Sequence, residues 1–353
     1  MMFSRRIKKL RKGLGEKKID AALFLSSEPI DDPNIYYFTG FRQMKYHSFA
    51  CLLITKNKTT LVLSSLDYDR ATGREADEVL KKDGPLSKTL KERIKKNRRI
   101  GVIESLFPHK LSKNFKVKDI SGLTDKIRSI KQPEEIENIR QACSIANKGI
   151  VFLKKNIREG LTERELALEL ERFLIKKGAD GISFPTTLVS PSRSWQIHPF
   201  PPFSKNKIKR GLGYADFGAS YSGYCSDVTV PFGIGRLTEK EKKIVKTVEQ
   251  AYRNSLKKLK PGAEAQEIYR AAENSIRESG FEFKHNLGHG LGLETHDPPA
   301  ISPESKTKIT RNMVFTIEPG IYVKGPGGCR LENDFIMKSR GFEVLTKSRF
   351  LKI

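Results

Sequence analysis

The chain has 353 residues, 37% of them hydrophobic, and carries a formal net charge of +25 at pH 7. That length fits two domains of ordinary size. No apolar run approaches the roughly 20 residues that a membrane span needs, and the charged start "MMFSRR" lacks the apolar core of a signal peptide. We therefore expect a cytoplasmic protein that does not engage the membrane.

The strong positive charge raises the question of a nucleic-acid partner. Basic residues occur in short runs such as "KERIKKNRR" (91–99), mixed with apolar residues at helical spacing, which is typical of solvated helix faces. No nucleic-acid-binding motif accompanies them, so we expect no such partner. The four cysteines include no CxxC pair, which favours reduced thiols over disulfides or a thiolate metal site.

Helix and strand patterns alternate in the first third of the chain. A helical pattern runs from about Arg5 to Glu16. Strand-like segments follow it: "AALFL" (21–25), "NIYYFTG" (34–40), "SFACLLIT" (48–55), "TTLVLSSL" (59–66) and "RRIGVIE" (98–104). This alternation predicts an α/β domain with a central sheet, which we place at residues 1–128.

The pattern changes at Pro133, which stands in a first helical turn with acidic residues behind it. Capping boxes begin two more helices, and a fourth runs over about 265–279; the boxes are Thr162 with Glu165 and Thr238 with Glu241. Strand-like segments lie between and after them: "GISFPTTLVS", "GYADFGASYSGYCSDVTVPF", "MVFTIEPGIYV" and "CRLENDFIM". We predict that residues 129–353 form an α+β domain of helices packed on antiparallel hairpins.

Two aspartates flank a predicted hairpin turn in "YADFGASYSGYCSDV". A two-residue loop at Tyr221–Ser222 would place Asp216 directly opposite Asp227. Like charges facing each other are destabilising unless a cation lies between them. Two divalent ions about 3.5 to 4 Å apart would fit between such carboxylates. The alternative is a shifted register that leaves both aspartates at the surface.

A second acidic hairpin strengthens the case for a metal site. Glu318 and Glu332 are symmetric about Gly325, so a turn there brings them together. Pro319 and Gly320 are expected to weaken the ladder between them. Four carboxylates brought together without partners would be very costly, and two divalent cations would neutralise their charge.

Four of the six histidines lie between positions 198 and 296: His198, His285, His289 and His296. His47 and His109 belong to the first domain, and we expect His109 to be structural. In "GHGLGLETH" (288–296), the two histidines would point to opposite faces of a regular strand. The glycines permit a bend there. One histidine is then a candidate metal ligand and the other a candidate substrate contact.

Five residues with their flanks resemble the dinuclear site of the "pita-bread" metallopeptidases, in the branch of Xaa-Pro peptidases (prolidase and aminopeptidase P). They are Asp216 in "DFGA", Asp227 in "GYCSDVT", His289 in "GHGLGLETH", Glu318 in "TIEPGIY" and Glu332 in "RLEND". The stretch from Arg6 to Phe41, "RIKKLRKG…NIYYFTGF", is similar to the creatinase-like N-terminal domain of that branch. The resemblance covers nearly the whole chain. It implies a creatinase-like α/β domain followed by an α+β pita-bread catalytic domain.

The resemblance also implies roles for individual residues. His289 and Glu318 would bind one metal ion, Asp216 the other, and Asp227 and Glu332 would bridge them. Glu318 would also move the proton in catalysis, with His296 and His198 as further catalytic residues. His285 and Arg330 would bind substrate. Ligands rich in oxygen with one imidazole favour Mn(II) or Co(II), and the family suggests a homodimer.

The sequence departs from the family pattern mainly around His198. Ile197 stands where proline is common, and "SPSRSWQ" before it lacks the usual glycine and asparagine. Val230 stands where arginine is common, and Asn333 where aspartate is common. None of these departures replaces a metal ligand.

The resemblance predicts a dinuclear metallopeptidase that hydrolyses the bond between any residue and proline. The compact length favours an Xaa-Pro dipeptidase acting on dipeptides over an Xaa-Pro aminopeptidase acting on longer peptides. Metal-free amidinohydrolysis and a non-enzymatic binding role on the same fold are further alternatives. Loss of metal ligands would mark either of them, and all five ligand positions are intact.

Overall fold

The structure, a computed structural model, describes residues 2–28, 31–42, 48–94, 98–108 and 115–353. His47 and the predicted structural role of His109 lie outside the described residues. Spatial proximity divides the chain into two compact units, Met1–Ile127 and Arg128–Ile353. Among the helices that the structure describes, none is both long enough and apolar enough to cross a membrane.

The first unit is built on a six-stranded mixed sheet. Its strands are β1 (Ala21–Ser27), β2 (Phe49–Thr55), β3 (Thr59–Leu63), β4 (Glu78–Lys81), β5 (Arg99–Val102) and β6 (Lys116–Asp119), in the order β4-β3-β2-β1-β5-β6. The helices that the structure describes here are α1 (Met2–Glu16), α2 (Pro33–Thr39), α3 (Ser65–Tyr68), α4 (Leu86–Arg93) and α5 (Ser121–Ser129), whose last two residues belong to the second unit, with a 3₁₀ turn at Glu104–Leu106. Ala21–Leu25 in the central strand β1 is fully buried, as expected for a sheet covered on both faces.

One strand predicted in this unit is a helix. The segment "NIYYFTG" forms α2, although its aromatic and β-branched residues favour strands. The Asp32 side chain caps the helix by accepting from the Asn34 N–H, and Pro33 stands in the first turn. Gly40 ends it with a left-handed φ of 74°. These capping contacts satisfy the helix termini and outweigh the local strand propensity.

The second unit holds four long helices and fourteen short strands among its residues, all of which the structure describes. The helices are α6 (Pro133–Asn156), α7 (Glu163–Lys176), α8 (Glu239–Lys258) and α9 (Ala265–Glu278). The strands are β7 (Gly181–Ile182), β8 (Thr187–Val189), β9 (Gly211–Phe217), β10 (Ala219–Tyr221), β11 (Tyr224–Cys225), β12 (Val228–Ile234), β13 (Gly288–Gly290), β14 (Asp297–Ile301), β15 (Val314–Ile317), β16 (Gly320–Val323), β17 (Gly327–Arg330), β18 (Asn333–Met337), β19 (Phe342–Val344) and β20 (Leu351–Lys352).

Two helix–sheet layers make up the core of the second unit. Helices α6 and α7 pack on the sheet β20-β12-β9-β8, and α8 and α9 pack on the sheet β14-β13-β15-β18-β19. Two smaller sheets, β11-β10-β7 and β16-β17, complete the unit. Gly149 of α6 is required by close packing, since a side chain there would meet Phe217 and Leu174. The predicted α/β domain followed by an α+β domain is confirmed.

The predicted capping boxes are present. Thr162 and Glu165 exchange hydrogen bonds at the start of α7, as Thr238 and Glu241 do at the start of α8. Each box satisfies backbone N–H groups that have no partner inside the helix. These helices therefore begin where the sequence predicts.

Candidate metal centre

The first acidic hairpin has a different register from the predicted one. It turns at Ser222–Gly223 rather than Tyr221–Ser222, so Asp216 lies opposite Thr229 and not opposite Asp227. Ser222 and Gly223 take φ values of 48° and 78°. Positive φ at both central residues defines the type I′ turn, whose twist matches that of the flanking strands. The predicted pairing was therefore wrong by two residues, because Gly223 is one of the two central residues of the turn.

The second acidic hairpin has the predicted register. Gly320 lies opposite Arg330 and Val323 opposite Gly327, symmetric about Gly325. The same register holds in the β15–β18 ladder, where Ile317 lies opposite Asn333. The ladder is interrupted between these two sheets, at the position of Pro319. Glu318 directly follows β15 and Glu332 directly precedes β18, so both carboxylates sit at this interruption.

The strand ends bring the five predicted ligand residues together. In three sets the candidate ligand atoms lie within 4.8 Å of one another: Asp216, Asp227 and Glu332; His289, Glu318 and Glu332; and Asp227, His289 and His296. His289 Nε2 lies 3.4 Å from a Glu318 oxygen and 3.6 Å from an Asp227 oxygen. The sets share members, so they form one continuous cluster.

Burial makes negative charge costly in this cluster. It raises the pKa of Asp227 and of Glu332 well above the usual range, and the neighbouring carboxylates raise both further. Burial also raises the pKa of Glu318, to about 8. Burial lowers the pKa of His289 to about 3, with the nearby His296 adding to the effect. The protein alone therefore stabilises the carboxylates poorly in their ionised forms.

Arg330 is the cation paired with this cluster within the described residues. Its guanidinium contacts Asp216 and donates from Nε to Thr229 Oγ1 at 2.9 Å. Thr229 in turn donates to Glu332 Oε2 at 2.6 Å. Arg330 is 4% exposed and stacks over the Tyr214 ring. The ion pair is thus with Asp216, and Arg330 reaches Glu332 only through Thr229.

The two histidines of "GHGLGLETH" meet because the chain bends. Strands β13 and β14 form a hairpin with a bulge between His289 and Gly290, which lies opposite Asp297. The ring centroids of His289 and His296 are 4.1 Å apart, at an interplanar angle of 73°. The seven-residue spacing therefore spans a hairpin, and the two imidazoles line the same cluster.

The other two predicted histidines belong to none of the three candidate ligand sets. His285 Nε2 is 3.1 Å from the Tyr322 hydroxyl, which accepts from Arg330 at 2.9 Å. His198 is exposed. Burial raises the pKa of Asp216, and the charges of Arg330, His198 and His296 act against that rise.

Two polar residues that contact the candidate ligands were not predicted from the sequence. Thr229 links Arg330 to Glu332, as described above. The fully buried Asp334 accepts from the backbone N–H of Asp227 at 3.1 Å and from the Cys143 thiol at 3.3 Å. Each lies two positions after a candidate ligand, where alternation along a strand places side chains on the same face. That spacing is the signal by which they could have been found.

A buried ion-pair network fixes the chain directly after His296. Asp297 contacts Arg128, and its other oxygen lies 3.5 Å from Lys131 Nζ. Arg128 also pairs with Glu294 at 2.6 Å. The Asp297 and Lys131 side chains are 2% and 0% exposed. Gly292 leaves room for the Asp297 carboxylate, since a side chain there would clash with it.

Replacing Asp297 by Asn is expected to destabilise the fold by about 3 to 5 kcal/mol, because two buried cations lose their counter-ion. Glu294→Gln is the matched control. It removes a partner of the same arginine, but Glu294 is 51% exposed, so the expected loss is below about 1 kcal/mol. Urea unfolding followed by circular dichroism compares the two variants. Equal losses of unfolding free energy in the two variants would show that burial of the Asp297 ion pairs does not contribute to stability.

The residues present fit divalent metal ions. Asp216 Oδ1 is buried and has no hydrogen-bond partner among the described residues. The donor atoms are carboxylate oxygens and one or two imidazole nitrogens, a set that suits hard or borderline divalent ions. Arg330 offsets at most one of the four carboxylate charges. A bound cation would supply the missing charge compensation.

Comparison with known proteins gives consistent matches for both units. The family model described as Metallopeptidase family M24 matches residues 137–339, and that of the Creatinase/Prolidase N-terminal domain matches residues 6–130. An Xaa-Pro dipeptidase from Pyrococcus horikoshii is 34% identical over 359 residues, covering 98% of each chain.

Solved structures agree with these matches. A prolidase from Pyrococcus horikoshii superimposes with a TM-score of 0.89 at 33% identity, over 98% of this chain and 99% of that one. An X-Pro aminopeptidase from Thermotoga maritima gives 0.87 at 32% identity, over 98% and 99%. Fold and site define a metal-dependent peptidase with a creatinase-like N-terminal domain. The chain belongs to metallopeptidase family M24, which confirms the predicted pita-bread fold.

Proposed function

We propose that this peptidase is an Xaa-Pro dipeptidase that hydrolyses X-Pro dipeptides with two divalent metal ions. The observation that carries the proposal is the buried cluster of four carboxylates and His289, which has too few cations of its own. Similarity to an Xaa-Pro dipeptidase along 98% of both chains supports the choice of substrate. We place the catalytic domain at residues 129–353 and the creatinase-like domain at 1–128.

The metal ions would be held by the strand-end residues. His289 and Glu318 would hold one ion, Asp216 the other, and Asp227 and Glu332 both. The donor set favours Mn(II) or Co(II). Ions bound here would activate water as the nucleophile and polarise the scissile carbonyl. Thr229 and Arg330 orient Glu332 and Asp216 through the hydrogen bonds described above.

Glu318 would carry the proton. Its carboxylate lies beside His289 at the edge of the cluster, where it can accept a proton from the attacking water. It would then deliver that proton to the departing prolyl nitrogen. This nitrogen leaves as a basic secondary amine, so its protonation is required for bond cleavage.

His296 and His198 would contact the reacting carbonyl. His296 lies against His289 and close to Asp227, and an imidazole N–H there can donate to the oxyanion as it develops. His285, whose ring contacts the Tyr322 hydroxyl, would bind substrate. Substrate binding by Arg330 stays a prediction, since its contacts with Asp216, Thr229 and Tyr322 favour a role in orienting Asp216.

An Xaa-Pro aminopeptidase is the second candidate, and the similarity to the Thermotoga maritima structure supports it. The same cluster can serve either enzyme, because an X-Pro bond presents the same carbonyl and the same tertiary nitrogen in both substrates. A non-enzymatic role is disfavoured because all five candidate ligands are present and close together.

Hydrolysis of Ala-Pro, Met-Pro and Ala-Pro-Ala separates these candidates. The metal-free protein is loaded with Mn(II), Co(II) or Zn(II), and Asp227→Asn is the inactive control. A dipeptidase cleaves the two dipeptides and leaves the tripeptide. Turnover of the tripeptide alone would assign an aminopeptidase, and turnover of none would contradict an enzymatic role.

We further propose a homodimer that acts in the cytoplasm. All four cysteines are buried as free thiols, which suits a reducing compartment.

The proposed homodimer is tested by light scattering coupled to gel filtration, which measures the mass of the assembly. A mass of one chain would contradict the dimer.

A further inference from the structure

The loop formed by residues 190–204 carries His198, and we call it the His198 loop. It joins β8 to the segment before β9 and contains the departures from the family pattern that were noted around His198. The loop forms turns and bends rather than helix or strand. Something other than a backbone ladder must therefore hold His198 in place.

Glu163, in the first turn of α7, binds both ends of this loop. Its Oε1 accepts from the Ser190 N–H at 2.8 Å. Its Oε2 accepts from the Ser204 N–H at 2.8 Å and from the Ser204 hydroxyl at 2.6 Å. Glu163 is 0% exposed. One buried carboxylate thus joins the first and last residues of the loop.

Arg193 adds a cation from within the loop. Its Nη1 lies 3.2 Å from Glu163 Oε2, and Nη2 donates to the Pro201 carbonyl. Its side chain is 12% exposed. Arg193 stands before His198 and Pro201 after it, so this side chain connects the two arms of the loop to each other and to Glu163.

The opposite side of the loop is attached to strands β9 and β17. The Ser194 hydroxyl donates to the Leu212 carbonyl at 2.6 Å and accepts from the Gly328 N–H at 2.9 Å. The Tyr214 hydroxyl donates to the Gln196 carbonyl at 2.6 Å. The described contacts therefore fix the loop on both sides of residues 198–200, where His198 is exposed.

We infer that Glu163 and Arg193 are positioning residues, whose ion pair joins the two arms of the His198 loop and so sets the place of His198 at the substrate. The catalytic part of this inference rests on the proposed function. The loop lacks the usual glycine and asparagine before His198. The contacts of Arg193 with Glu163 and with the Pro201 carbonyl hold the loop in one conformation instead. A misplacement of about 1 Å can cost about 100-fold in rate.

A double-mutant cycle tests the catalytic part with Ala-Pro as substrate. Arg193→Met is expected to lower kcat by about 10- to 100-fold with metal content unchanged. In the His198→Ala background the same substitution should change kcat by less than about 2-fold, because Arg193 acts through His198. Arg193→Lys, which keeps the charge, should recover part of the rate. The matched control is Arg164→Met, which removes an exposed arginine next to Glu163 in the first turn of α7.

A fluorescence measurement tests the loop without turnover. Trp195, the single tryptophan of the chain, lies inside the His198 loop. Acrylamide should quench its emission more strongly in Arg193→Met and in Glu163→Gln than in the wild type or Arg164→Met. If Glu163→Gln fails to fold, Arg193→Met alone carries the comparison.

Two results would overturn the inference. One is an equal loss of kcat from Arg193→Met in the wild-type and His198→Ala backgrounds, which would indicate a general structural role. The other is unchanged quenching of Trp195, which would show that the ion pair does not order the loop. If the wild type fails to cleave Ala-Pro while quenching changes as expected, the proposed function fails and the role of the ion pair in the loop stands.

Discussion

Replacing Glu332 by Gln is expected to abolish metal binding and to lower kcat/KM for Ala-Pro by about 1000-fold or more, because bound divalent ions supply several kcal/mol to the transition state. Glu332 belongs to two of the three ligand sets and is 2% exposed. Gln has nearly the same shape and can still accept from Thr229, so the change removes mainly the negative charge. Metal content by mass spectrometry and kcat/KM are measured on the same sample.

The same variant should be more stable than the wild type once metal is removed. Burial and the neighbouring Glu318 and Asp216 raise the pKa of Glu332, so an acid here destabilises the metal-free fold at neutral pH. We expect a gain of about 1 to 3 kcal/mol. The control is Glu278→Gln, an exposed acid on α9, which should change neither property. Full metal content and full activity in Glu332→Gln would contradict the assignment of the cluster as a metal site that includes Glu332.

The second large effect separates the two histidines of "GHGLGLETH". His289→Ala is expected to lose metal, since His289 lies within reach of Glu318, Asp227 and Glu332. His296→Ala is expected to keep its metal and to lose about 100- to 1000-fold in kcat, the usual cost of removing one oxyanion donor. Metal content and kcat of each variant provide the test.

His296 also lies in a set with Asp227 and His289, so the geometry alone permits it to be a ligand. Loss of metal from His296→Ala would assign it to the metal and not to the substrate. His285→Ala serves as the control, because His285 contacts Tyr322 rather than the carboxylates. It should retain metal.

The parts of the fold predicted correctly are those controlled by local signals. Capping boxes placed the starts of α7 and α8, and Gly325 placed the second acidic hairpin in register. The two errors have local causes as well. At Ser222–Gly223 the preference of a type I′ turn for positive φ shifted the register by two residues. At "NIYYFTG" capping by Asp32 outweighed the strand propensity of aromatic residues.

The candidate site was predictable as a set of residues but not as a geometry. Acidic residues paired across two predicted hairpins indicated a cluster, yet the contact of His289 with His296 depends on a bulge that no periodicity shows. The ion pair of Glu163 with Arg193 joins residues 30 positions apart, the first at the start of α7 and the second in a loop without regular structure. Such contacts depend on tertiary packing, which hydrophobic periodicity does not describe.

Titration of the metal-free protein with Mn(II) or Co(II), following kcat/KM for Ala-Pro against metal ions bound per chain, tests the central claim most directly. Activity is expected to rise with metal binding and to reach its maximum at two ions per chain. Full activity at one ion per chain would contradict the dinuclear site, and no hydrolysis of Ala-Pro at any metal content would contradict the proposed dipeptidase.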